Sequence, residues 1–144
     1  MNANELMIGD KVVAKRIECV GDGGQYQEWN ECGEITRIYE DTVYIMFDKQ
    51  KDDWEEIDIK DIEPIPLSVE ILEKNGLEKD NHGRLNGEYF DEDKNRDLEI
   101  SVDDKTGEIW WSYNWDEYRI IRLRYVHELQ HALKLCGIAK TIVL

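Results

Sequence analysis

The sequence predicts an α+β protein made of two small units, and three observations predict it. Short apolar segments separated by turn signals fill residues 1–66, which reads as a small all-β barrel of the Tudor or KOW kind. The two prolines of Glu63-Pro-Ile-Pro66 stop any helix and mark the boundary. Beyond them, residues 67–144 open on a short helix, return to a period of two and end in one stretch of helical period. They read as an antiparallel β-meander with a C-terminal amphipathic helix.

In order, Leu6 to Ala14 carries a Gly-Asp turn and then alternates as a half-buried first strand would, and Gly21 to Gly24 reads as a loop. Gly33 to Tyr39 and Thr42 to Phe47 are two strands joined by a tight hairpin at Glu40-Asp41, and Ile57, Ile59 and Ile62 lead into the prolines. Ser68 is placed to cap a short helix that ends at Asn75-Gly76, where a left-handed residue is wanted. Leu85–Phe90, Leu98–Val102, Ile109–Tyr113 and Tyr118–Leu123 supply the meander, with turns at Asp91 to Asn95, Asp103 to Gly107 and Asn114 to Glu117. In the final helix, Tyr125 to Cys136, the residues Val126, Leu129, Ala132, Leu133 and Cys136 share one side, and Gly137 closes it.

The formal charge of −15 is unevenly distributed. Residues 1–66 carry 7 Lys/Arg against 17 Asp/Glu (net −10), residues 67–117 carry 6 against 15 (net −9), and residues 118–144 carry 5 against 1 (net +4). A field this negative repels phosphate backbones, so direct nucleic-acid binding is not expected and a basic protein surface is the natural partner. The plainer reading is that the charge keeps a small protein soluble while the basic C-terminal segment packs on its own acidic body. No apolar run approaches the roughly 20 residues of a membrane span, and Met1-Asn2-Ala3-Asn4-Glu5 lacks a secretory start, so a cytoplasmic protein with no membrane contact is expected. Cys19, Cys32 and Cys136 form no C-x-x-C pair and are expected as reduced thiols.

One stretch matches a catalytic motif. His127-Glu-Leu-Gln-His131 puts two histidines one helical turn apart, able to share a zinc ion, with Glu128 as general base on its bound water. That would be a metallopeptidase-like, zinc-dependent hydrolase. Catalytic zinc needs a third protein ligand, yet beyond His131 there is no further His, Asp or Glu. The ligand would have to be His82, one of the many upstream carboxylates or the C-terminal carboxylate. On a helical wheel the two histidines lie opposite the apolar side, which predicts that they face solvent or a cleft.

The segments Ile62-Glu-Pro-Ile-Pro-Leu67, Ile71-Leu-Glu-Lys-Asn-Gly76 and Tyr125-Val-His-Glu-Leu-Gln130 resemble an uncharacterised family of small proteins encoded by phages and mobile elements of gut bacteria, over nearly the whole chain. That family's helix commonly begins Val-His-Gln-Leu-Gln-Asn, so Glu128 and His131 are points of departure from it. The resemblance implies a phage or mobile-element setting and no particular reaction.

Other constellations carry less. Asp91, Asp93, Asn95, Asp97 and Glu99 alternate like the start of a calcium loop, but Arg96 stands where glycine is needed and Val102 where the bidentate glutamate belongs. None of Ser68, Ser101 and Ser112 lies in a G-x-S-x-G turn, and Gly21 to Gly24 lacks the Lys-Ser/Thr of a phosphate loop. Asp52, Asp53, Trp54, Glu55 and Glu56 read as a charged loop anchored by a tryptophan. Trp110, Trp111, Tyr113, Trp115 and Tyr118 form an aromatic cluster with Arg119 and Arg122 nearby; Trp110 and Trp115 have the residue type that anchors protein interfaces, unless packing buries them all. Tyr39, Tyr44 and Trp54 are the residue types of an aromatic cage for methylated lysine. Together these favour binding without catalysis and without a cofactor: an acidic surface, carried by Asp52 to Glu56 with Trp110 and Trp115, that engages a basic protein. An inhibitor that mimics DNA charge against a host restriction or CRISPR nuclease would work in this way.

Overall fold

A computed structural model describes residues 5–20, 24–81, 85–91, 96–103, 106–113 and 121–144. His82, Asp93, Asn95, the turn at 114–117, Trp115, Tyr118 and Arg119 lie outside the described residues. The chain divides into two units, Met1–Ile65 and Pro66–Leu144. Both are built on antiparallel sheets, and the α+β class holds.

In the first unit β1 (Lys11–Val20) and β2 (Gln25–Ile38) form a long hairpin, with Lys11 opposite Glu34 and Val20 opposite Gln25. β3 (Thr42–Asp48) pairs with β2 and β4 (Asp53–Asp58) with β3; after a single 3-10 turn, Ile59–Asp61, β5 (Ile62–Pro64) returns to β1. The order is β4-β3-β2-β1-β5. Among the described residues no pairing joins β4 to β5, so hydrogen bonding makes an open sheet and not a closed barrel.

The inner face is paved by Leu6, Val12, Ala14, Ile35, Val43, Ile45, Ile57, Ile59 and Ile62, with Ile38 and Phe47 at its margin. Each large buried side chain here contributes roughly 1.5–3 kcal/mol by leaving water. The bend that gathers them has local causes. A Cβ on Gly33 would run into the Ile45 side chain, so only glycine lets β2 approach β3 there. Three residues on, Thr36 is the extra residue of a bulge: Ile35 faces Ile45, but Arg37 faces Tyr44. The chain enters β1 through a turn with Gly9 at φ 95°, sealed by the buried Asp10 carboxylate accepting from the Met7 N–H at 2.7 Å.

Two features depart from the sequence reading. The first hairpin runs to Val20 and restarts at Gln25, where polar residues on both faces hide the alternation, and its far half exposes Ile17, Val20 and Tyr26. The run Asp52 to Glu56 is not a loop. Asp52 sits in the turn at φ 53° and the rest is strand β4, because acidic residues with low intrinsic strand preference are held there by pairing to β3.

In the second unit Ser68 caps α1 (Val69–Lys74), its hydroxyl accepting from the Ile71 N–H at 3.3 Å, and Gly76 at φ 95° ends it. The strands β6 (Glu78–Lys79), β7 (Leu85–Asp91), β8 (Arg96–Val102), β9 (Ile109–Tyr113) and β10 (Ile121–Leu123) form a meander in sequence order. Asp91 pairs with Arg96, so of the calcium-like run Asp91 lies on β7 and Asp97 and Glu99 lie on β8. α2 (Val126–Leu135) contacts β10 and buries Val126, Leu129, Ala132 and Leu133. The extended tail is held from α1: buried Asn75 donates to the Val143 carbonyl at 2.7 Å and accepts from the Val143 N–H at 2.8 Å, which seats Ile142 in the core. No helix among the described residues is long and apolar enough to cross a membrane.

Candidate functional site

Strand alternation divides the acidic run of β4 between two faces. Asp53 and Glu55 point with Ile57 to the inner face, where Arg16 lies at the end of the apolar core. Its Nη2 donates to Asp53 Oδ1 at 2.9 Å, Nη1 to Asp53 Oδ2 at 3.0 Å and to Glu31 Oε2 at 2.9 Å, and Nε to Glu55 Oε2 at 3.0 Å. The guanidinium lies 4.2 Å from the centroid of Phe47 and 5.5 Å from that of Trp29. The Arg16 hydrogen bonds hold the Asp53 carboxyl below the usual aspartate range and push Arg16 further up. Asp53 and Glu55, two of the seven residues assigned to partner binding, are thus engaged within the unit.

Asp52 is exposed, and Trp54 and Glu56 point outward. There Trp54 meets Tyr44 (ring centroids 5.4 Å apart, planes 31°), which meets Tyr39 (5.6 Å, 58°). The three rings form a diagonal stripe across β4, β3 and the end of β2, exposed at both tips: Tyr39 by 52% and Trp54 by 51%. The bulge at Thr36 makes this possible, since without the extra residue Arg37 and Tyr39 would share the inner face with Ile35. Glu56 is fixed beside the stripe, accepting from Tyr44 Oη at 2.9 Å and Thr42 Oγ1 at 3.0 Å. That bond raises the Tyr44 phenol above its ordinary value. Arg37 stands 5.5 Å over the Tyr44 ring. The rings touch in succession and leave the faces of the two outer ones partly in water.

The His-Glu-x-x-His helix is arranged differently from the wheel's expectation. His127 is buried, 6% exposed, with its ring stacked on Tyr125 (5.6 Å, 8°) and His131 edge-on to it at 5.6 Å. The wheel treats all turns alike, whereas helical side chains lean back toward the N-terminus, and the first turn here lies against the entering strand residue Tyr125, itself bridged to Pro66. Glu128 is the helix's own cap, its Oε2 accepting from the Tyr125 N–H at 3.2 Å and from the Arg124 N–H, with Arg124 Nη2 3.7 Å from Oε1. The candidate general base thereby satisfies backbone donors. Among the described residues no group of three His, Cys, Asp or Glu could hold a metal ion.

Trp110 and Trp111 are both half-buried. Trp111 lies opposite Ile100 on the core side of β9, and Trp110 lies between Ser101 and Arg122, whose Nη1 pairs with Glu108 at 2.8 Å. Sequence reasoning gave no role to Arg16 or to Glu56 as a fixed carboxylate; only strand register brings their partners together. Comparison with family models, with curated proteins and with solved structures finds no match.

Proposed function

We propose that this chain is a non-catalytic interaction module whose acidic, aromatic face engages a basic surface on a protein partner. The observation that carries the reading is the exposed Tyr39-Tyr44-Trp54 stripe with Glu56 fixed at its side. Large rings that stay half in water on a folded sheet are the residue type that anchors interfaces, and the net −10 of residues 1–66 selects a cationic partner and repels nucleic acid. The strand order of the first unit, with one 3-10 turn between β4 and β5, supports a small bent barrel of the Tudor or KOW kind. The resemblance to phage and mobile-element proteins suggests the setting: a cytoplasmic inhibitor of a host nucleic-acid enzyme, such as a restriction or CRISPR nuclease, acting by DNA-charge mimicry.

The test is capture of partners from bacterial lysate at low and high salt, followed by association rates on the captured partner. Attraction between exposed charges is screened over roughly 8 Å at physiological ionic strength, so capture should fall steeply with salt. Reversing Asp52 and Glu56 to lysine should slow association more than it shifts the thermal midpoint. Capture that ignores salt, or no specific capture, would leave the charge a solubilising role only.

A further inference from the structure

We infer that the aromatic stripe receives an arginine side chain of the partner, its guanidinium stacked on Trp54 and paired with Glu56; this rests on the binding reading above. Three observations on the same face point to arginine over lysine or methylated lysine. First, the successive ring contacts leave the two end rings, Tyr39 and Trp54, about half exposed, which offers a planar cation a flat surface to stack on. Second, the middle ring already carries one guanidinium, that of Arg37, so this platform accepts the group, and its open positions are the two ends. Third, each Glu56 oxygen accepts one hydrogen bond, from Thr42 or Tyr44, and a carboxylate oxygen has two lone pairs. The remaining pair on each oxygen stays available on an exposed, orientationally fixed carboxylate, the acceptor geometry a guanidinium fork matches and an ammonium does not.

The same unit builds this arrangement once already on its inner face. Arg16 lies over Phe47 and binds Asp53 through two parallel hydrogen bonds. On the outer face Trp54 and Glu56 repeat the ring and the carboxylate, two residues apart on one strand.

The experiment titrates the full chain with fluorescently labelled peptides of equal length and charge whose cations are all arginine, all lysine or all trimethyllysine, at low and high salt. The arginine peptide should bind roughly five- to tenfold more tightly than the lysine peptide, an advantage that Trp54→Ala and Glu56→Gln each remove while residual, salt-sensitive affinity remains. Circular dichroism of both variants should match the parent. Equal arginine and lysine affinities, or a preference for trimethyllysine, would overturn the arginine assignment and leave the electrostatic module standing. Failure of every basic peptide to bind in a salt-dependent way, or salt-insensitive binding of a neutral oligosaccharide on the stripe, would overturn both.

Discussion

Arg16 and Asp53, 37 residues apart in sequence, form a two-pronged ion pair of 2.9 and 3.0 Å at the end of the first unit's core. Glu31 and Glu55 complete a carboxylate ring around one guanidinium that is largely out of solvent. In a chain this acidic, that cation offsets repulsion among three carboxylates that the strand register brings together.

Asp53's carboxyl is lowered in the folded state, chiefly by its hydrogen bonds to Arg16. The stability this contributes is therefore fully present above the unfolded value of about 3.9 and is lost as pH falls through the lower folded value. Arg16→Met should cost about 2 kcal/mol at pH 7, and progressively less as the pH is lowered through the depressed folded-state value of Asp53. Urea unfolding along a descending pH series measures this, and a loss that is the same at every pH would show that the network does not stabilise through charge.

Protein purified without chelator should hold well under one zinc per chain, because Glu128 caps its own helix and the described residues offer no third ligand beside His127 and His131. Elemental analysis decides the matter. Stoichiometric zinc that His131→Ala removes would revive the hydrolase reading.

Within α2, Leu133→Ala should cost on the order of 2–5 kcal/mol as a fully buried leucine, His127→Ala about 1–3 because it empties the space against Tyr125, and half-buried His131→Ala within about 0.5. Denaturant midpoints rank the three. A neutral His127→Ala would mean that its burial carries no packing energy.

Tyr89 is 6% exposed, its hydroxyl has no hydrogen-bond partner among the described residues, and burial pushes its phenol up to about 12. Tyr89→Phe removes a desolvated group without breaking a bond, so it should leave stability unchanged or raise it by about 1 kcal/mol. A loss of that size would place a bound water on the hydroxyl.

Much of the local structure was legible in the residues themselves. Alternation marked β3 and β9, Ser68 and Gly76 bounded α1, and the apolar period of α2 identified Leu129 and Leu133 as core. These signals are local: side-chain period, caps and backbone sterics act within a turn or two of the chain. The candidate site was not legible in that way. Tyr39, Tyr44 and Trp54 could be named together, but whether they met depended on the bulge at Thr36, which shifts which face of β2 Tyr39 occupies. The run Asp52 to Glu56 looked like one acidic surface until β4 paired with β3 and sent Asp53 and Glu55 inward to Arg16. His127 looked exposed until Tyr125 stacked on it. Composition and period determine which segments form strands and helices, whereas strand register and the packing of distant segments decide which side chains share a face, because a one-residue shift in pairing exchanges the two faces of a strand.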